Sequence, residues 1–210
     1  MSKLLKLLGE KPLTLLVYLP KNDAEMANAA QESGADVLVI NHDYDEEKIL
    51  EAISIPVGLD VKKAEPKEIA KILGLKFDFI NFHPEVLDKY SKSKKTKVVA
   101  LDETYTLDKL MNLTDKDIDA IDAAVVPIRE EGRELIVGDL QNYIAIALSS
   151  NLPVIIPTQR SIKPSEVPII WDTGAKGLML TSVVLGDNVK SLTKVVKEYR
   201  VAIDDIDTSA

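Results

Sequence analysis

Short apolar runs alternate with segments of helical spacing eight times along this 210-residue chain, and that repetition limits the fold more than any other feature. The runs are residues 13–19, 36–40, 56–59, 77–82, 97–101, 123–126, 154–156 and 177–183. Each is nearly all apolar, as expected of a strand covered on both faces, and each is followed by a segment long enough for a right-handed crossover. Eight such units predict a closed (β/α)8 TIM barrel, an α/β fold with a single domain over residues 1–203 and a short N-terminal helix; an open doubly wound sheet is the competing arrangement. The first run continues as YLPKNDAE with no Gly-rich fingerprint, which gives a dinucleotide-binding sheet little support.

Local signals fix the intervening helices. Asp23 caps an alanine-rich segment that ends at Gly34, and Asp45 opens another through Glu51. Further helical segments fall near 66–73, 85–90, 107–113, 139–149, 165–171 and 189–199. Residues 3–9 have helical spacing and are expected to plug the floor of the fold. The stretch DTGAKGLMLTSVVLG, residues 172–186, shows the unit clearly: a Gly-containing turn, a buried strand, then polar Thr181 and Ser182. Residues 204–210 form an acidic tail, expected to fray.

Composition narrows the partners. With 34 Asp and Glu against 26 Lys and Arg, the formal charge of -8 opposes a phosphate-backbone binder, so no nucleic acid is expected. The start, MSKLLKLLGEKPL, is broken by Lys3 and Lys6 and reads as neither signal peptide nor membrane span. Zero Cys excludes disulfides and a thiol nucleophile and fits a reducing, cytoplasmic compartment. Absent Cys, few Met and abundant Lys, Glu and Asp also suit a thermostable protein.

In such a barrel the chemistry lies at the carboxyl ends of the strands. Strand one delivers Lys21 and Asn22, strand two Asn41, His42 and Asp43, strand three Asp60 and Lys62. Strand four delivers Asn81, His83 and Glu85, strand five Asp102 and Glu103, and strand six Arg129 and Glu130. Gln159 and Arg160 follow strand seven, Thr181 and Ser182 strand eight. His42, Asp43 and Asp60 are candidate ligands for a divalent metal, since a mixed imidazole and carboxylate set suits a catalytic ion. Against these roles stand ordinary ones: Asp60 and Asp102 as helix caps, the histidines as local hydrogen-bond partners, and residues 62–68 as a solvated helix start. Trp171 is expected to pack on the barrel wall or at a subunit interface, such as that of a homodimer.

The stretch IPTQRSIKPSEVPIIWDTGAKGLMLTSVVLGD resembles the last two units of the ribulose-phosphate-binding barrels, the superfamily that includes thiamine-phosphate synthases, sugar-phosphate epimerases and the orotidine-monophosphate decarboxylase group. The likeness lies in Gly174 and Ala175 before a strand ending in small residues. It implies a phosphate cradle after strands seven and eight. Where family members carry glycines, this chain has Gln159-Arg160 and Thr181-Ser182, so Arg160, Thr181 and Ser182 become the implied phosphate ligands. The segment Asp60-Val61-Lys62-Lys63-Ala64-Glu65 is similar to the Asp-x-Lys-x-x-Asp element of the orotidine-monophosphate decarboxylase group. That likeness implies Asp60 as carboxylate or metal ligand and Lys62 as electrophile or acid.

Together these point to a lyase or isomerase acting on a small phosphorylated sugar-like metabolite through an enolate or carbanion, with Asp60, Lys62, His83 and Asp102 as catalytic candidates. A barrel without catalysis, binding a ligand or partner, is the alternative favoured by the missing glycines. An FMN-dependent oxidoreductase barrel would also place a phosphate at strands seven and eight, but the chain shows no separate flavin signature.

Overall fold

The structure is a computed structural model that describes residues 2–42, 46–62, 65, 68–90, 93–114 and 116–206. Eight strands, β1 (Thr14–Tyr18), β2 (Val37–Asn41), β3 (Val57–Asp60), β4 (Phe79–Phe82), β5 (Thr96–Ala100), β6 (Ala120–Asp122), β7 (Val154–Pro157) and β8 (Gly177–Leu180), pair in sequence order. Every pairing is parallel, and β8 closes back on β1 to make the barrel. The open sheet is thereby excluded.

Around the barrel run α2 (Ala24–Glu32), α3 (Glu46–Ala52), α4 (Ile69–Gly74), α5 (Leu87–Tyr90), α6 (Leu107–Thr114), α7 (Val137–Ser149) and α8 (Val167–Asp172). A four-residue α9 (Ser182–Leu185) and the long α10 (Val189–Asp204) complete the chain, after α1 (Lys3–Glu10) at its start. Asp23 caps α2 as expected, its carboxylate accepting the Met26 N–H at 3.0 Å. Asp45 and Pro66 lie outside the described residues. The helix α10 continues five residues beyond Tyr199, and Ile206 beyond it packs partly against the core. Among the described residues no helix is long and apolar enough to cross a membrane.

Alternation along each strand divides the apolar residues into two cores. Leu15, Leu38, Ile80 and Val99 face the helices, whereas Leu16, Val37, Phe79 and Val98 fill the barrel interior. Leu4 and Leu8 of α1 join that inner cluster, both buried, so the N-terminal helix does close the floor. Trp171 packs, half-buried, against the outer core. Gly58 is inward on β3, where a Cβ would sit 2.1 Å from the Phe79 ring; its lack of side chain makes room for that ring.

One strand is displaced from its expected position. The sequence predicts the sixth strand at 123–126, whereas β6 is Ala120–Asp122, paired through Val98 with Ala120 and Ala100 with Asp122. The more apolar AAVV follows the strand instead of forming it. The shift matters because it brings Asp122 to the strand's carboxyl end, facing inward.

Candidate active site

The inward phase that carries Val37 and Val39 into the interior continues to Asn41, just as Phe79 leads to Asn81 and Ala120 to Asp122. Tyr18 and Asp60 share that phase on β1 and β3. Asn41 lies beside Asp60, and Asp60 beside Asn81, in the sheet register. Polar groups from five strands therefore meet in one layer above the apolar interior. Lys62, two residues beyond Asp60, keeps the same side, and its ammonium reaches back over the layer.

Lys62 Nζ stands 3.3 Å from Asp60 Oδ2 and 3.4 Å from Asp122 Oδ2. Asn81 Nδ2 donates to Asp122 Oδ2 at 2.8 Å, and the Lys62 backbone N–H donates to Asp60 Oδ1 at 3.0 Å. Tyr18 donates its hydroxyl to Asn41 Oδ1 at 2.8 Å, while Asn22 clasps the Asn41 backbone through both its N–H and its carbonyl. Asp60, Asn81 and Asp122 are 7%, 2% and 1% exposed. Burial by itself lowers the affinity of Lys62 for its proton, but Asp122 and then Asp60 outweigh it, so the ammonium is held above its ordinary pKa. Burial, followed by Asp60 and Asp122, raises the Tyr18 phenol as well.

This geometry has a definite chemical character. An ammonium flanked by two carboxylates can stabilise a developing anion or deliver a proton, whereas a free-amine nucleophile would need the opposite shift. Asn81 Oδ1 and Asp122 Oδ1 are buried without a hydrogen-bond partner, so the layer keeps unspent acceptor capacity. Above it opens a cavity of about 300 Å³. Tyr18, Lys62, Asp122, Glu131, Gln159, Thr181 and Ser182 are among the residues that line it. Asp122 was not among the residues expected from sequence.

The other candidates are distributed differently. His83 and Asp102 line a separate groove of about 490 Å³ between α6 and the loops after β4 and β5. The Asp102 carboxylate accepts both the hydroxyl and the N–H of Thr104 at 2.7 Å, and these bonds, aided by nearby His83 and Lys109, hold it below the usual carboxylate range. His42 Nδ1 lies 2.9 Å from Glu46 Oε1 at the start of α3. Asp43 lies outside the described residues. Among the described residues no three His, Cys, Asp or Glu side chains converge as a metal site.

At the strand-seven and strand-eight end, two of the three expected phosphate ligands, Arg160 and Thr181, make local bonds. Arg160 is 3% exposed and absent from the cavity lining. Its guanidinium grips Asp139 through Nε at 2.8 Å and a terminal nitrogen at 3.0 Å, and that same nitrogen reaches Glu130 Oε2 at 2.7 Å. Arg160 thus ties the segment after β6 to β7, its buried fork already holding two carboxylates. Thr181 donates its N–H to Thr158 Oγ1 at 2.8 Å and its hydroxyl to the Thr158 carbonyl at 2.9 Å. Ser182 lines the cavity at the start of α9.

The fold and this mouth define a (β/α)8 barrel with a polar layer over a plugged core. No family model and no curated protein matches the sequence. Solved structures do match over nearly the whole chain. They include thiamine phosphate pyrophosphorylase from Pyrococcus furiosus, with a TM-score of 0.70 at 16% identity over 93% of this chain and 97% of that one. Tryptophan synthase subunit alpha from Legionella pneumophila gives a TM-score of 0.73 at 14% identity over 98% and 100%. Tryptophan synthase from M. tuberculosis gives 0.72 at 13% identity over 96% and 98%. At these identities the likeness is one of fold.

Proposed function

We propose that the chain is an enzyme centred on Lys62: a lyase or isomerase that carries a small phosphorylated, sugar-like metabolite through an enolate or carbanion. The observation that carries this reading is the half-buried Lys62 ammonium held between Asp60 and Asp122 where it reaches the mouth cavity. Lys62 would stabilise the developing oxyanion or return a proton to carbon, Asp60 would serve as the carboxylate of that exchange, and Asp122 would position the ammonium. The phosphate part rests on the resemblance at strands seven and eight, on the thiamine phosphate enzyme among the structural neighbours, and on Thr181 and Ser182 beside the cavity. Arg160 is left out of the phosphate site, and His83 and Asp102 out of the chemical step. A divalent ion at Asp60 belongs to the resemblance, and no step here uses one.

A non-catalytic ligand-binding barrel is the second reading. It is favoured by the internal bonding of Arg160 and of the Thr181 N–H. A denaturation screen with inorganic phosphate and a panel of sugar phosphates, each with and without Mg²⁺, separates the two. A ligand at about 100 times its dissociation constant adds roughly 2.7 kcal/mol to a native state it alone recognises. Turnover of a stabilising sugar phosphate, lost in Lys62→Met while binding persists, supports the enzyme. Equal turnover by Lys62→Met removes Lys62 from the reaction, and stabilisation without turnover favours the second reading.

A further inference from the structure

The groove that holds His83 and Asp102 shares no lining residue with the mouth cavity and has its own chemistry. Its floor is apolar: Leu101 and Leu113 are 3% and 8% exposed, and the Tyr105 ring forms one side. That ring is steadied from α7, since the Tyr105 hydroxyl lies 3.3 Å from Asn142 Oδ1. At about 490 Å³ the groove falls within the range of small-molecule sites, which combine an apolar lining with a few polar groups.

Charge around the floor is unevenly committed. The Asp102 carboxylate is already capped twice by Thr104. Lys109 gives one bond to the Thr104 carbonyl at 3.1 Å, leaving further ammonium protons to donate. Among the described residues neither Lys109 nor Lys116 has a carboxylate within 4.0 Å, although both line the groove. Glu85 and Asp102 are both exposed carboxylates on this rim, and both Thr104 bonds fall on a single Asp102 oxygen, Oδ1. The two lysines, neither in an ion pair among the described residues, are therefore the groups with most bonding capacity left for a ligand, over an apolar base.

We propose that this groove is a second binding site, for a small amphipathic anion with a flat apolar body and one carboxylate or phosphate head. The apolar body lies on Leu101, Leu113 and the Tyr105 ring, and the head meets Lys109 and Lys116. The proposal is independent of the chemistry assigned to Lys62. His83, picked out by its position after β4, belongs to this site by placement.

Amide spectra of the ¹⁵N-labelled protein, titrated with benzoate, phenyl phosphate and uncharged benzyl alcohol, test it. The expected result is saturable shifts confined to residues 83–86, 101–105 and 109–116 for the two anions, with benzyl alcohol about tenfold weaker, the scale of two partly exposed ion pairs. Comparing benzoate with phenyl phosphate identifies the preferred head. Lys109→Glu with Lys116→Glu should erase the preference for anions. Shifts centred on Tyr18, Lys62 and Ser182, equal affinity for benzyl alcohol, unchanged anion affinity in the charge-reversed variant, or no saturable shift would each overturn the proposal.

Discussion

Lys62 and Asp122 stand 60 residues apart in the chain and 3.4 Å apart across the barrel mouth, where the single ammonium also serves Asp60. Two buried carboxylates on one lysine make a layer that is sensitive to loss of its cation. The same arrangement is what allows Lys62 to act on a substrate as a charged group.

Replacing that lysine exposes the dependence. Lys62→Met should destabilise the fold by about 3–5 kcal/mol, because two buried carboxylates then face each other without a counter-charge. A urea denaturation midpoint measures it, and adding Asp122→Asn should recover part of the loss. A Lys62→Met variant as stable as the parent would show that the carboxylates do not depend on the ammonium.

Alkaline pH should act through the same layer. Lys62 and Tyr18 both have folded-state pKa values raised above those of the unfolded chain. For each, the proton is bound more tightly when folded, so the stabilisation is complete below the unfolded value near about 10 and is lost as pH rises towards the folded one. Tyr18→Phe removes one of these losses. Its alkaline unfolding midpoint should lie above the parent's; a midpoint that does not move would mean that Tyr18 ionisation has no part in the transition.

Arg160 is expected to matter for folding more than for phosphate. Arg160→Ala leaves Asp139, 6% exposed, without its partner and should cost about 3–5 kcal/mol. Arg160→Lys, which cannot span both carboxylates as a fork, should recover only part. Inorganic phosphate should stabilise parent and Arg160→Lys alike; a loss of phosphate response in the lysine variant would return Arg160 to the ligand site.

The interior of the barrel sets a steric test. Gly58→Ala places a Cβ 2.1 Å from the Phe79 ring and should cost at least about 1–3 kcal/mol by overpacking. Phe79→Leu in the same chain should relieve much of it. Thermal unfolding of the single and double variants reads this coupling, and simple additivity would mean the two side chains do not compete.

Asp119 supports a fifth expectation. Its Oδ2 accepts the Lys97 N–H at 2.8 Å at the edge of β5, so Asp119→Ala should cost about 1–3 kcal/mol for the unpaired donor. Hydrogen exchange at the Lys97 amide should accelerate beyond the global change; unchanged protection there would show that another acceptor takes over.

That aspartate is also the signal by which β6 could have been phased. Asp36, Asp78 and Asp119 each stand immediately before a strand and accept the N–H of Leu15, Val57 and Lys97 respectively on the preceding strand. The dipeptides Asp36-Val37, Asp78-Phe79 and Asp119-Ala120 thus mark three strand starts. Apolar content alone favours residues 123–126, because a three-residue strand with Asp122 at its end has little hydrophobic signal of its own. Backbone pairing to β5 outweighs local propensity here, as it commonly does in sheets.

From its residue order alone the chain determined the barrel, seven of its eight strands and the plug at the floor, because period-two burial, crossover length and capping are local properties; the sixth strand was set by pairing to β5. The alternation also placed Asp60 and Lys62 on one inward face, two residues apart. Only the tertiary structure decided that Asp122 meets Lys62, that Arg160 closes on Asp139 and Glu130, and that His83 and Asp102 stand outside the mouth. Those outcomes depend on strand register and on closure of the barrel, which bring together groups dozens of residues apart. No local spacing encodes such a meeting.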